Sequence, residues 1–458
     1  MLGNFKKFAL VVGDVLALYL SLYLTLALRY RSLPSSEVWN ENFLPFTLLF
    51  AVWLVIFYIN GLYDIAATKN DIGFYNKIFR NILINYAVAG AYFYLLTDKL
   101  FDIKPRAVFF IFMAVFLGLN LLWRFWFNAF VQRPNFLKNI LVIGMKDEAR
   151  ELVEEIFKKP QLGYRIAAII NDNSVNHKEF PGVAFYDSST DIKKILRSHQ
   201  ISTVVTAIDP HGNPDLAQNL FSSLSLKIQF FDLPGFYEKL TGKIPVTSVG
   251  HVWFLQNFAQ GEQGPYEFAK RILDITVSAV VLLASLPFLP LVALAIKLNS
   301  PGRVLFRQTR VGFLGRPFVA IKFRSMKEEA EKDSGPQWAT KNDPRVTGFG
   351  RFLRKMRLDE IPQFINVLAG EMSLIGPRPE RPEFVKSLVR DIPFYNERHL
   401  VKPGLTGWAQ VNYDYGASVE DAHVKLQYDI YYAKKRSLVL DLAVLLKTAK
   451  IILTRQGK

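Results

Sequence analysis

The 458-residue sequence contains no cysteine. Disulfide bonds and metal sites with thiolate ligands are therefore excluded, and the redox compartment cannot be inferred. Acidic residues are also scarce, because 40 Asp and Glu stand against 56 Lys and Arg, a formal net charge of +16. Residues 266–458 hold 31 Lys and Arg against 19 Asp and Glu, or +12 of that total. Such a basic region suits anionic lipid, a phosphate-rich substrate or nucleic acid. The apolar segment beside it favours lipid and phosphate, and we expect no nucleic acid partner.

Two motifs of nucleotide-sugar enzymes are missing as well. The loop Gly144-Met-Lys-Asp-Glu-Ala149 keeps only the first glycine of the G-x-G-x-x-G pattern that allows a backbone to approach a pyrophosphate. No two aspartates lie two residues apart, so the Asp-x-Asp motif of metal-dependent glycosyltransferases does not occur. Tyr431 and Lys435 have the Tyr-x-x-x-Lys spacing of a nucleotide-sugar dehydratase, but no glycine-rich strand–helix unit precedes them in residues 266–430.

Long apolar runs are what the sequence has in abundance. Half of the residues are hydrophobic and the mean hydropathy is positive. A membrane-spanning helix needs about 20 apolar residues, and four N-terminal stretches are long enough: 8–28, 43–60, 80–97 and 107–131. The first lacks a small-residue cleavage site, which favours a retained helix over a signal peptide. We therefore predict a four-helix transmembrane domain over residues 1–135, with Arg124 facing other helices or the membrane surface.

Residues 138–260 have the pattern of an α/β domain. Buried strands are predicted at 139–144, 167–170 and 203–208, with helices at 147–159 and about 190–199. This alternation predicts a small doubly wound, Rossmann-like (CoA-binding-like) sheet on the cytoplasmic side. Asp172 could contact a ribose, but a turn aspartate is the favoured interpretation. A structural or regulatory domain is therefore expected rather than a nucleotide site.

A fifth apolar segment, 275–296, is long enough to cross the membrane. Pro287 and Pro290 lie near its middle, where each removes a backbone donor and bends the helix. Cationic residues flank both ends, and crossing would carry one cluster to the trans side against the positive-inside tendency. We predict a re-entrant membrane helix over about 268–297 that breaks at Ser285 to Pro287 and returns, although a fifth span is the simpler alternative.

The segment after 348 combines a basic helix with two carboxylates. Its apolar residues recur at helical spacing and its other face is cationic. Asp359 and Glu360 follow this helix. Two carboxylates beside a cationic helix suit a site that handles phosphates and a divalent cation, whereas a solvated helix end is the plain alternative.

An ordered series of motifs places these carboxylates in context. The series is Ser300-Pro-Gly-Arg, Phe318-Val-Ala-Ile-Lys-Phe-Arg-Ser-Met326, Asp359-Glu360, Gly376-Pro-Arg-Pro-Glu380, Lys402-Pro-Gly-Leu-Thr-Gly-Trp-Ala-Gln-Val-Asn412, Tyr428-Asp-Ile-Tyr-Tyr432 and Ser437-Leu-Val-Leu-Asp441. It resembles the bacterial sugar transferases of the monotopic phosphoglycosyl transferase type, over about 266–453. The front of the chain resembles the long members of that family, such as undecaprenyl-phosphate glucose or galactose phosphotransferases.

The resemblance implies a reaction and its partners. A sugar-1-phosphate would pass from a UDP-sugar to undecaprenyl phosphate with release of UMP, to begin exopolysaccharide, capsule or O-antigen synthesis. It also implies Mg²⁺ as cofactor, membrane lipid as a partner, and a multi-pass protein of the bacterial inner membrane. The catalytic domain, mixed α/β over residues 266–458, is expected in the cytoplasm. A homodimer is compatible with the sequence, which does not name the sugar.

The resemblance also implies site residues. Asp359 would be the nucleophile that forms an aspartyl-phosphosugar intermediate, and Asp359 with Glu360 would hold the metal. The further substrate or phosphate candidates are Arg378, Lys322, Arg324, Asp429 and Asp441. Capping or salt-bridge roles are equally open for the last two. The candidates at the membrane helix are Lys270, Arg271 and Asp274 at its start, and Ser285 and Pro287 at its break.

Some residues receive no catalytic role. His399 and His423 are lone histidines without metal-ligand spacing. Residues 438–453 mix apolar residues with charges and predict an amphipathic helix at the membrane surface. Two other functions stay open at this point: a membrane nucleotide-sugar dehydratase, and a non-catalytic scaffold in polysaccharide assembly.

Overall fold

The computed structural model describes residues 2–65, 70–93, 106–131, 137–171, 179–209, 212–226, 228–258, 264–327, 335, 337–338, 343–413, 416 and 418–453. The chain forms two compact units, Met1–Phe236 and Tyr237–Lys458. Their boundary lies before the domain end predicted at 260. The reason is burial: Ile244 and Val246 are fully buried in one apolar cluster with Leu426 and Ile430 of the second unit.

The first unit begins with long helices: α1 (Leu2–Tyr30), α2 (Ser36–Ile59), α3 (Ile72–Tyr92) and α4 (Arg106–Val131). By length and composition, α1, α2 and α4 are each able to cross a membrane, and so is the later run Gly264–Asn299, among the described residues. The third helix begins earlier than the predicted 80–97 stretch, and residues 94–97 lie outside the described part. Aromatic side chains such as Trp53, Phe112 and Phe116 fill the core between these helices.

A charged pair is buried inside the helical bundle. Arg124 of α4 and Asp14 of α1 form an ion pair, and both side chains are fully buried. Arg124 Nη1 also donates to the Leu62 carbonyl at 2.8 Å, and Asn120 Nδ2 donates to Asp14 at 3.3 Å. Arg124 therefore faces other helices, the first of the two predicted alternatives, since a buried charge needs a partner in an apolar bundle.

The first unit also contains a parallel sheet. Its strands are β1 (Lys138–Ile143), β2 (Tyr164–Ile170), β3 (Ala184–Tyr186), β4 (Thr203–Thr206) and β5 (Gln229–Asp232). They pair in the order β3-β2-β1-β4-β5, all parallel. The intervening helices are α5 (Asp147–Lys158), α6 (Ile192–Ser198) and α7 (Pro214–Ser222). The predicted strand–helix alternation is confirmed; Asp172 lies outside the described residues.

The loop after β1 differs from a phosphate-binding loop. Gly144 has a positive φ of +84°, and a Cβ there would lie 2.8 Å from the Ile208 side chain. The Met145 amide donates to the Asn171 side chain at 3.2 Å, so it is already used inside the domain. The first turn of α5 carries Asp147 and Glu148, which disfavour an anion at a helix N-terminus. The structural or regulatory role expected of this domain stays a prediction.

The helix α8 (Leu233–Thr241) contains the unit boundary, and the second unit continues with α9 (His251–Phe258). Next come α10 (Gly264–Ser285), a 3₁₀ turn (Leu286–Phe288) and α11 (Leu289–Asn299). The 3₁₀ turn contains Pro287 and lies at the predicted break. Large apolar side chains around it are more than half exposed, including Leu283, Leu286 and Phe288. An aqueous surface rarely exposes such a patch, so this run is suited to lipid.

The rest of the second unit is a mixed α/β body. A hairpin of β6 (Leu305–Val311) and β7 (Pro317–Phe323) is antiparallel, and β8 (Ser373–Ile375) pairs in parallel with β9 (Gly404–Thr406). The remaining helices are α12 (Gly348–Lys355), α13 (Gln363–Ala369), α14 (Pro382–Asp391), α15 (Trp408–Asn412), α16 (Val419–Lys435) and α17 (Leu438–Leu453). The predicted mixed α/β character of the C-terminal region is therefore observed.

Both ends of the apolar run pack on this body. On the α10 side, the Asp274 carboxylate accepts from Ser373 Oγ at 3.1 Å and from the Leu374 amide at 3.0 Å. On the α11 side, Ile296 is buried in one cluster with Phe323 and Leu353. Residues 274 and 296 would lie about 33 Å apart in a straight helix, yet each is fixed to the same compact unit.

Candidate active site

Asp359 and Glu360 lie on a short 3₁₀ turn of their own, Leu358–Glu360. The basic helix α12 ends at Lys355, and Arg357 adopts a left-handed conformation with φ 57°. This reversal turns the chain back, so the carboxylates begin a second helical run that continues into α13. The sequence pattern placed them at the end of the cationic helix, and the left-handed residue is what separates the two elements.

Glu360 is surrounded by cations. Arg378 Nη2 lies 2.7 Å and Lys322 Nζ 3.4 Å from Glu360 Oε1, and Arg357 Nη1 lies 3.6 Å from Oε2. Burial alone would raise the pKa of Glu360. The charges of Arg378, Lys322 and Arg357 outweigh burial, so its pKa lies well below the usual range. Glu360 is therefore a permanent anion that orients three cations.

Asp359 has a different environment although it is the next residue. Its side chain is buried, with 8% exposed, and it accepts no hydrogen bond from any residue that the structure describes. Burial, followed by the neighbouring Glu360 charge, raises its pKa, and Lys322, Arg354 and Arg378 oppose that rise. The pKa of Asp359 is thus raised and that of the adjacent Glu360 is lowered. Enzymes use such a difference to give two carboxylates separate roles.

Arg378 is held by a turn whose carbonyl groups are all hydrogen-bonded. The Pro377 carbonyl accepts from the Gly404 amide at 2.9 Å, and the Pro379 carbonyl accepts from Arg310 Nη1 at 3.1 Å. The Glu380 carbonyl accepts from the Val311 amide at 2.9 Å. The turn between Pro377 and Pro379 is therefore fixed by contacts with β6 and β9, and it directs the Arg378 guanidinium at Glu360.

A buried ion pair supports the same turn from behind. Arg398 Nη2 donates to the Arg378 carbonyl at 3.0 Å and to Asp429 Oδ2 at 2.7 Å. Both side chains of the pair are buried, with 6% and 2% exposed. Asp429 was a candidate for substrate binding or a salt bridge, and these contacts favour the salt bridge. Arg398 had no role in the sequence analysis, because nothing in the sequence pairs it with Asp429.

The two cations near β7 are separated in space. Lys322 reaches Glu360, and burial lowers its pKa to about 8 against the opposing effect of Glu360. Arg324 follows the end of β7 and donates to the carbonyls of Ser300 and Pro301. Of these two side chains, Lys322 contacts Glu360, whereas Arg324 contacts loop carbonyls. Phosphate binding by either residue stays a prediction.

Asp441 belongs to a separate buried network. Its carboxylate accepts from Lys270 Nζ at 2.9 Å, from the Tyr266 hydroxyl at 3.0 Å and from the Tyr432 hydroxyl at 2.8 Å. Asp441 is fully buried, and Lys270 is nearly so. These contacts attach α10 to α16 and α17. They favour an anchoring role for Asp441 and Lys270; phosphate binding by either stays a prediction.

The other predicted residues of the membrane helix have structural contacts. Arg271 donates to the carbonyls of Val367 and Leu368, both at 2.7 Å, at the C-terminal end of α13. Asp274 caps the start of β8, as described above. The Ser285 hydroxyl donates to the Leu282 carbonyl at 2.9 Å just before Pro287. Arg271 and Asp274 thus attach α10 to α13 and β8, whereas Ser285 bonds within its own helix beside the break.

The positions of Tyr431 and Lys435 do not support a nucleotide-sugar dehydratase. Tyr431 stacks on Trp408 with 5.8 Å between ring centroids, and Lys435 pairs with Glu238 at 3.1 Å. These two side chains are thus engaged with different partners and form no catalytic pair. Of the two histidines without a role, His399 is buried near Tyr395, and burial lowers its pKa to about 4.

The oxygen atoms of Asp359 and Glu360 are suited to a hard divalent cation that takes few protein ligands. No group of three or more His, Cys, Asp or Glu side chains clusters for a metal among the described residues. Mg²⁺ characteristically takes one or two carboxylates and completes its shell with waters and substrate phosphates. Asp359 has free oxygen lone pairs for this purpose, whereas Glu360 is engaged by three cations. The residues present therefore fit such an ion, with Asp359 ahead of Glu360 as ligand.

Comparison with known proteins gives matches along most of the chain. A family profile described as bacterial sugar transferase matches residues 265–455, and one described as CoA-binding domain matches residues 58–213. A UDP-N-acetylgalactosamine-undecaprenyl-phosphate N-acetylgalactosaminephosphotransferase of Aeromonas hydrophila is 44% identical over 48% of this chain and 51% of its own length. Against that relative, the chain spans about half of the protein it matches.

Two further relatives align over longer stretches. A UDP-glucose:undecaprenyl-phosphate glucose-1-phosphate transferase of Escherichia coli (strain K12) is 45% identical over 68% of this chain and 66% of its own length. A protein of the same name from Klebsiella pneumoniae is 30% identical over 95% of this chain and 93% of its own length. The ordered motifs, the carboxylate site and these alignments agree, and the chain belongs to the bacterial sugar transferase family.

Proposed function

We propose that this protein transfers a sugar-1-phosphate from a UDP-sugar to undecaprenyl phosphate and releases UMP, with Asp359 as the covalent nucleophile. The observation that carries the proposal is the Asp359 carboxylate: it is buried, accepts no hydrogen bond within the described chain, and lies beside a carboxylate saturated with cations. The names of the relatives supply the substrate classes, since they are named for UDP-glucose or UDP-N-acetylgalactosamine and undecaprenyl phosphate.

The first step forms an aspartyl-phosphosugar. An Asp359 oxygen attacks the phosphorus that bears the sugar, a new oxygen–phosphorus bond forms, and the bond between that phosphorus and the bridging oxygen breaks. The electron pair leaves with UMP. A carboxylate needs no base to remove a proton, and the covalent intermediate divides one displacement into two. In the second step a phosphate oxygen of undecaprenyl phosphate attacks the same phosphorus and releases Asp359.

The cations around Glu360 offset the charge repulsion between the Asp359 carboxylate and the diphosphate. An anion that attacks a diphosphate is repelled, so positive groups must already be in place where charge develops. Glu360 holds Arg378, Lys322 and Arg357 in fixed positions beside Asp359. A guanidinium fork is suited to phosphate oxygens, and fixed donors need no reorganisation during the reaction. Glu360 therefore acts through these cations, in addition to any contact with metal.

Mg²⁺ is the proposed cofactor. Asp359, with Glu360 next to it, is the group that would hold the ion, together with oxygens of the donor. When bound, it would neutralise diphosphate charge and favour departure of UMP. The protein side chains described above orient Glu360 and Arg378.

The membrane run is proposed to be re-entrant. The contacts of Asp274 and Ile296 fix both of its ends to the same compact unit, which supports a path that enters the membrane, turns at the 3₁₀ segment with Pro287, and returns. Such a path would leave the carboxylates at the membrane surface, where a soluble donor and a lipid acceptor can meet. We propose the bacterial inner membrane as location, with this unit in the cytoplasm.

The product would begin a surface polysaccharide, and one relative from Rhizobium leguminosarum bv. phaseoli is named as an exopolysaccharide production protein. A homodimer is proposed as well.

The test combines donor screening with one conservative variant. Purified protein in nanodiscs is incubated with Mg²⁺, undecaprenyl phosphate and each of four UDP-sugars, carrying glucose, galactose, N-acetylglucosamine or N-acetylgalactosamine, and UMP is measured. We expect release from one or more donors and its loss in Asp359→Asn. Full activity in that variant would refute the nucleophile, and no UMP from folded wild type with any donor would refute the transfer.

A further inference from the structure

The helical run that carries Asp359 has a buried polar face. The 3₁₀ turn Leu358–Glu360 continues through Ile361 and Pro362, both with right-handed helical torsions, into α13. Residues three or four apart in such a run are neighbours on one side. Asp359, Gln363 and Asn366 therefore share a face, and all three are at least 92% buried.

The last of these three residues shows what that face packs against. Asn366 Nδ2 donates to the Val319 carbonyl at 2.8 Å, and its Oδ1 accepts from the Ile321 amide at 3.1 Å. Both partners belong to β7, the strand that also carries Lys322. Asn366 is thus a fully engaged structural residue that fastens α13 to the strand.

Gln363 has no such partners. It is 4% exposed, and its Nε2 donates no hydrogen bond to any residue that the structure describes. Asp359, one turn earlier, also accepts none. Buried polar side chains in native proteins are almost always hydrogen-bonded, so the unpaired Gln363 Nε2 requires an explanation. The Asp359 oxygens are not enclosed in the same way. A ligand that reaches Asp359 and also contacts Gln363 would explain the unpaired donor.

We propose that Gln363 is a substrate-contacting residue: its amide N–H donates to a non-bridging phosphoryl oxygen of the donor while Asp359 bonds to the phosphorus. This inference rests on the proposed function and names an additional contact within it. A side chain one turn away on the same face would lie near the oxygens of a phosphorus attached to Asp359. A neutral amide adds a directed hydrogen bond without adding charge to a region that already holds three cations.

The alternative is a structural role, and the two predict opposite effects on stability. If Gln363 supported the fold through a hydrogen bond, its loss would lower the unfolding temperature. If its amide forms a hydrogen bond only with bound substrate, Gln363→Leu removes an unpaired buried polar group and keeps a similar side-chain volume. The unfolding temperature should then stay equal or rise, because a buried unpaired donor is itself unfavourable.

The experiment measures kcat and KM for UMP release together with unfolding temperatures, on full-length protein in nanodiscs with the four UDP-sugars named above. The variants are Gln363→Leu and, as an unbranched second replacement, Gln363→Met. The matched control is Gln427→Leu on α16, since Gln427 is also 4% exposed with an unpaired amide oxygen among the described residues. We expect a roughly 10- to 100-fold lower kcat/KM in both Gln363 variants with no loss of unfolding temperature, and unchanged kinetics in the control.

Three results would overturn the inference. They are unchanged kcat/KM in both Gln363 variants, an equal loss in Gln427→Leu, or a fall in kcat/KM that tracks a fall in unfolding temperature. In each of these the wild type still releases UMP, so the proposed function survives. An inert wild type would instead remove the proposed function, and this inference with it.

Discussion

At the scale of single residues, the site separates two adjacent carboxylates by their surroundings. Glu360 receives three cations and remains ionised, whereas Asp359 is buried beside that negative charge and receives no hydrogen bond among the described residues. The division follows from geometry rather than residue type, because Arg357 turns the chain so that successive side chains meet different neighbours. One carboxylate can then organise cations while the other reacts.

Replacement of Arg378 tests whether the cations around Glu360 are needed for UMP release. Arg378→Ala removes the guanidinium 2.7 Å from Glu360 and, in the proposed mechanism, one phosphate ligand. We expect kcat for UMP release to fall about 100- to 1000-fold, as when one preorganised donor is removed from an oxyanion site. Arg390→Ala, at the exposed end of α14, is the matched control and should keep its activity. Equal kinetics in the two variants would contradict a role for Arg378.

His399 predicts how stability depends on pH. Burial, followed by the charge of Arg398, lowers its pKa to about 4, below the usual value near 6.5. The unfolded chain therefore binds the proton first, and the stability contributed by neutral His399 is complete above pH 6.5 and is lost as pH falls towards 4. The loss amounts to about 3 kcal/mol.

Unfolding temperatures from pH 7 to 4 check this dependence. The wild type should lose more stability over that range than His399→Gln, whose side chain does not titrate. Parallel curves for the two proteins would show that other groups account for the acid sensitivity.

At the scale of elements, two separate motifs become one structure. The chain segments around Gly376 and Gly404 pair as β8 and β9, and the Gly376 amide donates to the Thr406 carbonyl at 2.9 Å. A Cβ on Gly376 would lie 2.2 Å from the Lys402 carbonyl, and a Cβ on Gly404 would lie 2.1 Å from the Gly376 amide nitrogen. Glycine is required here because the backbones approach too closely for any side chain, and the Arg378 turn follows directly.

Gly376→Ala should therefore disturb both folding and catalysis. The added methyl group must displace a paired backbone, and we expect a loss of about 3 kcal/mol or more of unfolding free energy. Thermal unfolding and UMP release together measure it. Gly250→Ala is the control, since its methyl group would meet nothing within 4 Å. A stable and active Gly376→Ala protein would mean that the two strands can separate without consequence.

At the scale of the whole molecule, the chain consists of two compact units. The buried apolar clusters that support the carboxylate site are formed from residue 244 onwards, and the site contacts described above all lie in the second unit. A relative from Rhizobium leguminosarum bv. phaseoli is aligned over 96% of its own length by only 191 residues. A short chain is thus sufficient for a member of this family.

A truncation follows from this division. Residues 237–458, which retain α10 and α11, should fold in nanodiscs and release UMP with a kcat within about tenfold of the full chain, because no buried site contact is removed. Activity per mole and unfolding temperature are compared with those of the intact protein. A folded but inactive fragment would show that the first unit contributes to the reaction.

Local patterns in the sequence were enough to predict the apolar helices, the strand–helix alternation after residue 138 and the break at Pro287. The ordered motifs added Asp359, Glu360 and Arg378 as central candidates through the family resemblance. Hydrophobic periodicity, proline chemistry and motif order all run along the chain, so they can be read without a fold. Three findings needed the folded chain: Arg398 and Asp429 support Arg378, Arg324 points to a loop, and Gln363 stands unpaired beside Asp359. The first two join residues 20 to 31 positions apart. The third depends on which neighbours the fold brings to that helix face, so no local pattern encodes any of them.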